Sequence, residues 1–170
     1  LWLVLFEPTT GMLNQLLEAV GRDPVDVLGS PRTALIGVAL ATAWQNVGLV
    51  FVVTIAAMQS IPTVLHESAR IDGHGPVARF AQITLPLLGP QLLFLIVVLT
   101  ISSFQAFAQV DILTAGGPQG ATDVLVYSIV RDMPLDQGRA SVEAVLLFLV
   151  LGVLSAIQFR WLDRRVHYAG

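Results

Sequence analysis

Three long apolar stretches constrain this chain more than any other feature of its sequence. They cover residues 34–58, 91–110 and 140–160, and each reaches the length of about 20 residues that a helix needs to cross a bilayer. Inside hydrocarbon every backbone N–H and C=O must find a partner within the protein, so each stretch is predicted to be a helix. None has a charged face, which argues against a soluble all-α core. The predicted fold class is an all-α, polytopic membrane bundle.

The composition supports a membrane protein. Hydrophobic residues make up 55% of the chain and charged residues 12%, whereas soluble domains carry about 25% charged residues. The absence of cysteine excludes disulfides and thiolate metal sites, and a net charge of −3 gives no indication of nucleic-acid binding. Residues 1–6, LWLVLF, do not form a signal peptide. They are predicted to close an earlier span, so we expect N-terminal residues to be missing.

Arginines near the spans predict the orientation of the chain. Residues 59–90 and the C-terminus lie on one side of the predicted spans, and residues 7–33 and 111–139 lie on the other. The first side carries Arg70, Arg79, Arg160, Arg164 and Arg165, and the second carries Arg22, Arg32, Arg131 and Arg139. The basic cluster RWLDRR directly follows the last span, where positive charge has the most influence on topology. The first side is therefore predicted to be cytoplasmic.

The external segments also contain predicted structure. Residues 11–21, GMLNQLLEAVG, have leucines at helical spacing after Thr10, which is predicted to cap a short amphipathic helix. TAGGPQGAT at residues 114–122 predicts a turn, and the next residues, 123–133, predict a second short helix.

The cytoplasmic segment 59–90 predicts a helix–turn–helix that is too short to cross a membrane. Pro62 suits the first turn of a helix that runs to Asp72, and Gly73 suits its end. A second helix is predicted from Val77 to Thr84, and Pro86 leads into the next span.

Two faces are predicted for the first of these helices. Small and medium side chains fall on one arc, made of Val64, Leu65, Ser68, Ala69 and Ile71, and the other arc holds His66, Glu67 and Arg70. Such a helix can dock into a groove of a soluble partner or rest on lipid. Lipid-surface helices are usually rich in Lys and Arg, so the single Arg and the central acid favour docking.

These residues resemble the EAA loop of binding-protein-dependent ABC importer permeases. The matching positions are Glu67-Ser68-Ala69, Gly73 and Ile83-Thr84-Leu85-Pro86. GMLNQLL, AAMQSIP, LTAGGPQGAT and IQFRWLDRRVHY resemble segments of carbohydrate and glycerol-3-phosphate members, so the resemblance extends along nearly the whole chain. The sequence departs from the family pattern at Ser68, His66, His74 and Pro76.

The resemblance implies a permease with a family-typical six spans, of which about three are present here, and a short cytoplasmic coupling helix–turn–helix. It implies import of a sugar or glycerol-3-phosphate-like solute in a bacterial or archaeal plasma membrane. ATP would be hydrolysed by separate cytoplasmic subunits, so the chain is not predicted to be an enzyme, and no cofactor is expected. The other implied partners are a second permease subunit, an extracytoplasmic solute-binding protein and membrane lipid. The residues implied to couple the chain to the ATPase are Glu67, Ser68, Ala69, Arg70, Asp72, Gly73 and Pro86.

Polar residues within the spans are candidates for the solute path, because burying them in a membrane is costly. These candidates are Gln45, Asn46, Ser102, Gln105 and Gln109. Gln105 and Gln109 are four residues apart and are predicted to share one helix face. Hydrogen bonding between helices is the alternative role for them, and an internal pair with Arg70 is the alternative role for Glu67.

Other function classes remain open or are excluded. Two alternatives remain open. One is a permease for another solute class, such as an amino acid or phosphate, and the other is a non-transporting scaffold subunit. An intramembrane hydrolase is disfavoured because Glu143 is the only acid within the predicted spans and none of them contains a His.

Overall fold

The structure is a computed structural model that describes residues 1–163, with side chains described for residues 1–160. The described part of the chain is helical and contains no β-strand, which confirms the all-α prediction. The helices are α1 (Trp2–Leu5), α2 (Met12–Ala19), α3 (Ala34–Gln59), α4 (Thr63–Ile71), α5 (Pro76–Arg79), a π-helix (Phe80–Thr84), α6 (Leu85–Leu87), α7 (Gly89–Phe104), α8 (Phe107–Leu113), α9 (Leu125–Asp132) and α10 (Gln137–Asp163). Arg164 and Arg165, which contribute to the predicted orientation, lie outside the described residues.

The chain divides into two compact units. The first contains residues 1–45 and 102–148, and the second contains residues 46–101 and the chain from residue 149 onward. Buried side chains of the first unit include Phe6, Val38, Val110 and Ile129. Buried side chains of the second unit include Ala57, Leu88, Leu93, Leu95 and Val97.

Two helices of the described chain are long and apolar enough to cross a membrane. They are Ala34–Gln59 and Gln137–Arg160. A third candidate is the pair Pro76–Leu87 and Gly89–Phe104, whose two parts meet at 66°. Large apolar side chains are exposed along these helices, among them Phe51, Val52, Phe148 and Val153, as expected for helices that face lipid.

The prediction of a continuous helix over residues 91–110 is wrong. Helix α7 ends at Phe104 and α8 begins at Phe107, because Ala106 has the non-helical angles φ −74° and ψ 45°. The amide of Phe107 donates instead to the carbonyl of Gln105, two residues back, at 2.8 Å. Ser102 and Ser103 lie in the last turn before the break, and serine favours helix ends over helix interiors because its hydroxyl competes for backbone groups.

The second helix of the predicted helix–turn–helix is also different from the expectation. It begins at Pro76 and changes to a π-helix over Phe80–Thr84, and the 66° bend follows at Leu88. Pro86 and Pro90 flank this bend and have no N–H to donate to the preceding turn, which is the usual cause of a sharp kink.

A buried asparagine organises the segment before α3. Asn14 Nδ2 donates to the carbonyls of Pro8 at 2.9 Å and Val25 at 3.2 Å, and its Oδ1 accepts from the Val25 amide at 2.9 Å. The prediction of Thr10 as the helix cap is wrong, because the N-cap of α2 is Gly11. The Thr10 hydroxyl donates to Glu7 instead, at 3.0 Å.

Candidate functional site

The turn after α4 is closed by backbone hydrogen bonds around Gly73. The amide of His74 donates to the carbonyl of Ala69 at 2.9 Å, and the amide of Gly73 donates to that of Arg70 at 3.2 Å. This is the Schellman pattern, which requires a left-handed residue after the helix. Gly73 supplies it with φ +81°, and a β-carbon there would meet no atom within 4 Å. Glycine is therefore required here by the left-handed backbone conformation and not by a steric clash with neighbouring atoms.

Helix α4 exposes most of its surface. Ala69 is the one buried residue of α4, with 7% of its surface exposed. Val64 and Ile71, on the predicted apolar arc, are 63% and 87% exposed, and Val77 in α5 is 80% exposed. The structure thus brings apolar side chains to the surface of loop 59–90, where the described chain does not cover them.

The charged residues of α4 are also exposed. Glu67 and Arg70 both face solvent. Among residues 1–160, all ion pairs are formed by side chains of the segment 123–143. The alternative pairing of Glu67 with Arg70 is therefore not formed. Glu67 therefore has no ion-pair partner among the described side chains. The other predicted coupling residues take different positions: Ser68 and Asp72 are exposed around the same turn, and Pro86 lies in α6 just before the bend.

Two of the five path candidates meet in the first unit. The amide of Gln109, in α8, donates a hydrogen bond to the side-chain oxygen of Gln45, in α3. Both residues line a cavity of about 410 Å³, together with Trp2, Trp44, Ile112 and Leu113 among other apolar side chains. The cavity wall is therefore apolar and aromatic with one pair of amides, the usual composition of a small-molecule site.

The other path candidates do not join this pair. Gln105 lies in the break between α7 and α8, so the prediction that it shares a helix face with Gln109 is wrong. Ser102 is half-buried in the last turn of α7, and Asn46 is half-buried in α3 within the second unit.

The loop 114–122 contains a polar contact that the sequence pattern does not predict. Thr122 is completely buried, and its hydroxyl donates to the carbonyl of Gly117 at 2.7 Å and lies 2.7 Å from the hydroxyl of Thr114. The signal was present as two threonines that flank the Gly/Pro turn.

An ion network follows this loop. Arg131 contacts Asp123 at 2.6 Å and Asp132 at 2.8 Å, and Arg139 contacts Asp132 at 3.3 Å and Glu143 at 2.9 Å. The hydrogen bond from Arg131, supported by the charges of both arginines, lowers the pKa of the Asp132 carboxyl. The same bonds to Asp132 and Asp123 raise the pKa of Arg131. The network ties the end of α9 to the beginning of α10.

The described residues include no group of three or more His, Cys, Asp or Glu side chains placed to hold a metal ion.

Comparisons with known proteins identify the family of this chain. The family described as "Binding-protein-dependent transport system inner membrane component" matches residues 1–168. The sn-glycerol-3-phosphate transport system permease protein UgpA is 39% identical in Yersinia enterocolitica and 38% identical in Escherichia coli, over 171 residues in each case. Each alignment covers 99% of this chain and 58% of the relative. The chain therefore spans somewhat more than half the length of these relatives.

Solved structures show the same fold. A bacterial ABC transporter involved in import of the acidic polysaccharide alginate matches with a TM-score of 0.78 and 25% identity, over 96% of this chain and 58% of that one. The alginate transporter in complex with its pentasaccharide-bound periplasmic protein matches with a TM-score of 0.69, 24% identity, and coverage of 95% and 56%. The family match extends over nearly the whole sequence, so this membrane protein belongs to the inner membrane components of binding-protein-dependent transport systems.

Proposed function

We propose that this chain is part of a transmembrane permease subunit of an ATP-driven importer for a sugar or a glycerol-3-phosphate-like solute. The observation that carries the proposal is the exposed helix–turn–helix of loop 59–90, which joins a long apolar helix to a bent one. The names of the relatives favour this solute class over amino acids or phosphate.

Loop 59–90 is proposed to couple the chain to a separate cytoplasmic ATPase subunit. Val64, Ile71 and Val77 would fill an apolar groove on that subunit, and the unpaired carboxylate of Glu67 would meet a basic side chain there. Ser68 and Ala69 keep the helix narrow, Arg70 and Asp72 supply polar contacts at its end, and Gly73 sets the turn. Pro86 belongs to the bend through which movement would reach α7.

The remaining partners and the location follow from the same proposal. A second permease subunit would complete the pathway, and an extracytoplasmic solute-binding protein would deliver the solute. Helices with exposed apolar faces place the chain in lipid, and the relatives named above support a bacterial plasma membrane crossed several times.

The cavity in the first unit is proposed as part of the solute path. Gln45 and Gln109 offer amide donors and acceptors, and Trp2 and Trp44 offer flat apolar surfaces. Asn46, Ser102 and Gln105 are proposed to line other parts of the path, because polar groups in membrane segments usually face a partner or a pathway.

The coupling role is tested by reversing the charge of Glu67. The Glu67→Arg variant is expected to reduce co-purification of the ATPase subunit at least tenfold, since a buried charge pair becomes a repulsion. Glu18→Arg is the matched control, because Glu18 is also an exposed acid on a short helix. Undiminished binding of the ATPase by Glu67→Arg would contradict this role for Glu67.

A further inference from the structure

A polar contact links α10 to α7 in the second unit. Gln158 Nε2, in α10, donates to the Thr100 hydroxyl, in α7, at 2.8 Å. The Thr100 hydroxyl in turn donates to the carbonyl of Ile96 at 2.7 Å. The hydroxyl proton is thus donated within α7, and the hydroxyl oxygen accepts the hydrogen bond from the amide of Gln158.

The surroundings make this contact specific. Oε1 of Gln158 is buried without a hydrogen-bond partner among the described residues, so the bond from Nε2 to Thr100 is what anchors this amide there. The neighbours of both residues along their helices are largely apolar. The hydrogen bond favours the register of α10 against α7 that keeps the pair together.

The two helices differ in their connection to loop 59–90. Helix α7 follows that loop directly, through the π-helix and the 66° bend. Helix α10 is far from the loop along the chain, and most of its side chains are exposed in the described structure. A displacement of loop 59–90 therefore reaches α7 directly through the backbone, whereas α10 is joined to α7 by a long stretch of chain and can be moved more directly through side-chain contacts with α7.

We propose that Thr100 and Gln158 are positioning residues that make α7 and α10 move together when loop 59–90 is displaced. The proposal rests on the function proposed above. It adds that the last helix is driven through this hydrogen bond, and that losing the bond leaves ATP hydrolysis intact while less solute moves in each cycle.

The first test measures solute transported per ATP hydrolysed by the complete complex in vesicles. Thr100→Val keeps the shape of the side chain and removes the acceptor, so the ratio is expected to fall at least threefold with unchanged ATPase co-purification. Thr100→Ser restores the hydroxyl and is expected to restore the ratio. Gln158→Leu is expected to match Thr100→Val. A purely structural role would lower the yield of complex and leave the ratio unchanged, so an unchanged ratio in Thr100→Val overturns the proposal.

The second test uses the absence of native cysteine from this chain. The Thr100→Cys, Gln158→Cys double variant lacks the hydrogen bond and is expected to show the lowered ratio. Joining the two thiols with a short bifunctional reagent is expected to restore it, because helices that move together tolerate a covalent link. Arrest of transport by the link, with both single-cysteine variants unaffected by the reagent, overturns the proposal. A wild-type complex that moves no solute with ATP overturns the proposed function itself.

Discussion

The hydroxyl of Thr122 lies 2.7 Å from the hydroxyl of Thr114, across the base of the Gly/Pro loop. Thr114 is the C-cap of α8, and its hydroxyl oxygen also lies 3.0 Å from the carbonyl of Val110. Thr122 is completely buried and donates to Gly117 within the loop. With the Thr122 proton on Gly117, the Thr114 proton is shared between the Thr122 oxygen and the carbonyl of Val110. Two side chains thus fasten the loop to the helix that carries Gln109.

Removing the Thr122 hydroxyl is expected to loosen this loop. Thr122→Val keeps the volume but leaves the carbonyl of Gly117 without its side-chain donor, at a cost of about 1–3 kcal/mol for a buried unsatisfied group. Amide hydrogen exchange over residues 114–123 measures the effect, with faster exchange expected there. Thr54→Val, in the long helix α3, is the control; equal exchange in the two variants would contradict the role of Thr122.

Substitutions at two glycines of the same loop distinguish steric crowding from backbone strain. Gly116 has φ +80°, and a β-carbon there would lie 2.7 Å from Cε1 of Tyr127, whereas Gly120 has φ +75° and nothing within 4 Å. Both alanine variants carry the left-handed strain of roughly 1–2 kcal/mol. Gly116→Ala must also displace a ring that stacks on Phe107, with centroids 5.8 Å apart.

We therefore expect Gly116→Ala to lower the midpoint of thermal unfolding clearly more than Gly120→Ala. The measurement is made on the purified protein in detergent. Equal midpoints would show that Tyr127 does not restrict this position.

The stability of the segment before α2 is expected to depend on acid. The backbone amide of Thr10 and the hydroxyls of Thr9 and Thr10 donate to the Glu7 carboxylate and lower its pKa from 4.5 to about 2. A carboxyl with a depressed folded-state pKa stabilises the fold above its unfolded-state pKa and loses that contribution as pH falls toward the folded value. The affected window therefore extends from about pH 4.5 down to about pH 2.

In Glu7→Gln the carboxylate is absent at every pH. The variant is expected to be less stable than wild type near neutral pH, and the difference is expected to shrink as pH falls through that window. Thermal unfolding as a function of pH measures it, with Glu18→Gln as a control that removes an equal charge. A difference between Glu7→Gln and wild type that stays constant with pH would contradict the assignment.

The amide pair in the cavity predicts a kinetic effect on transport. Gln109→Leu removes the donor to Gln45 and one polar group of the cavity. The loss of one hydrogen bond to solute is expected to raise KM for transport about three- to tenfold, with ATPase co-purification unchanged. Ile112→Leu, at another cavity position, is the control. An unaltered KM in Gln109→Leu would remove this residue from the solute path.

Local chemistry was sufficient to predict some parts of this structure. The helix Thr63–Ile71 and the turn at Gly73 follow from a proline before the helix and a glycine after it, because both residues act within a few positions of the chain. The apolar helices around residues 34–58 and 140–160 likewise follow from their composition and length.

Long-range contacts were not predictable from the sequence. Gln109 meets Gln45 across 64 residues, and Gln158 meets Thr100 across 58. The helix break at Ala106 has no proline or glycine to mark it, so apolar composition alone predicted a continuous helix. Apolar composition indicates that a segment is suited to lipid, but it does not indicate which of its polar side chains form hydrogen bonds with other helices.

ATP-driven uptake into vesicles that contain the complete complex tests whether loop 59–90 couples this chain to the ATPase. Wild-type chain is compared with a variant in which residues 62–86 are replaced by a Gly/Ser linker of equal length, with ATP enclosed and the solute-binding protein outside. Wild type is expected to accumulate solute, and the linker variant is expected neither to retain the ATPase subunit nor to accumulate solute. Uptake by the linker variant at the wild-type rate would contradict the coupling role of this loop.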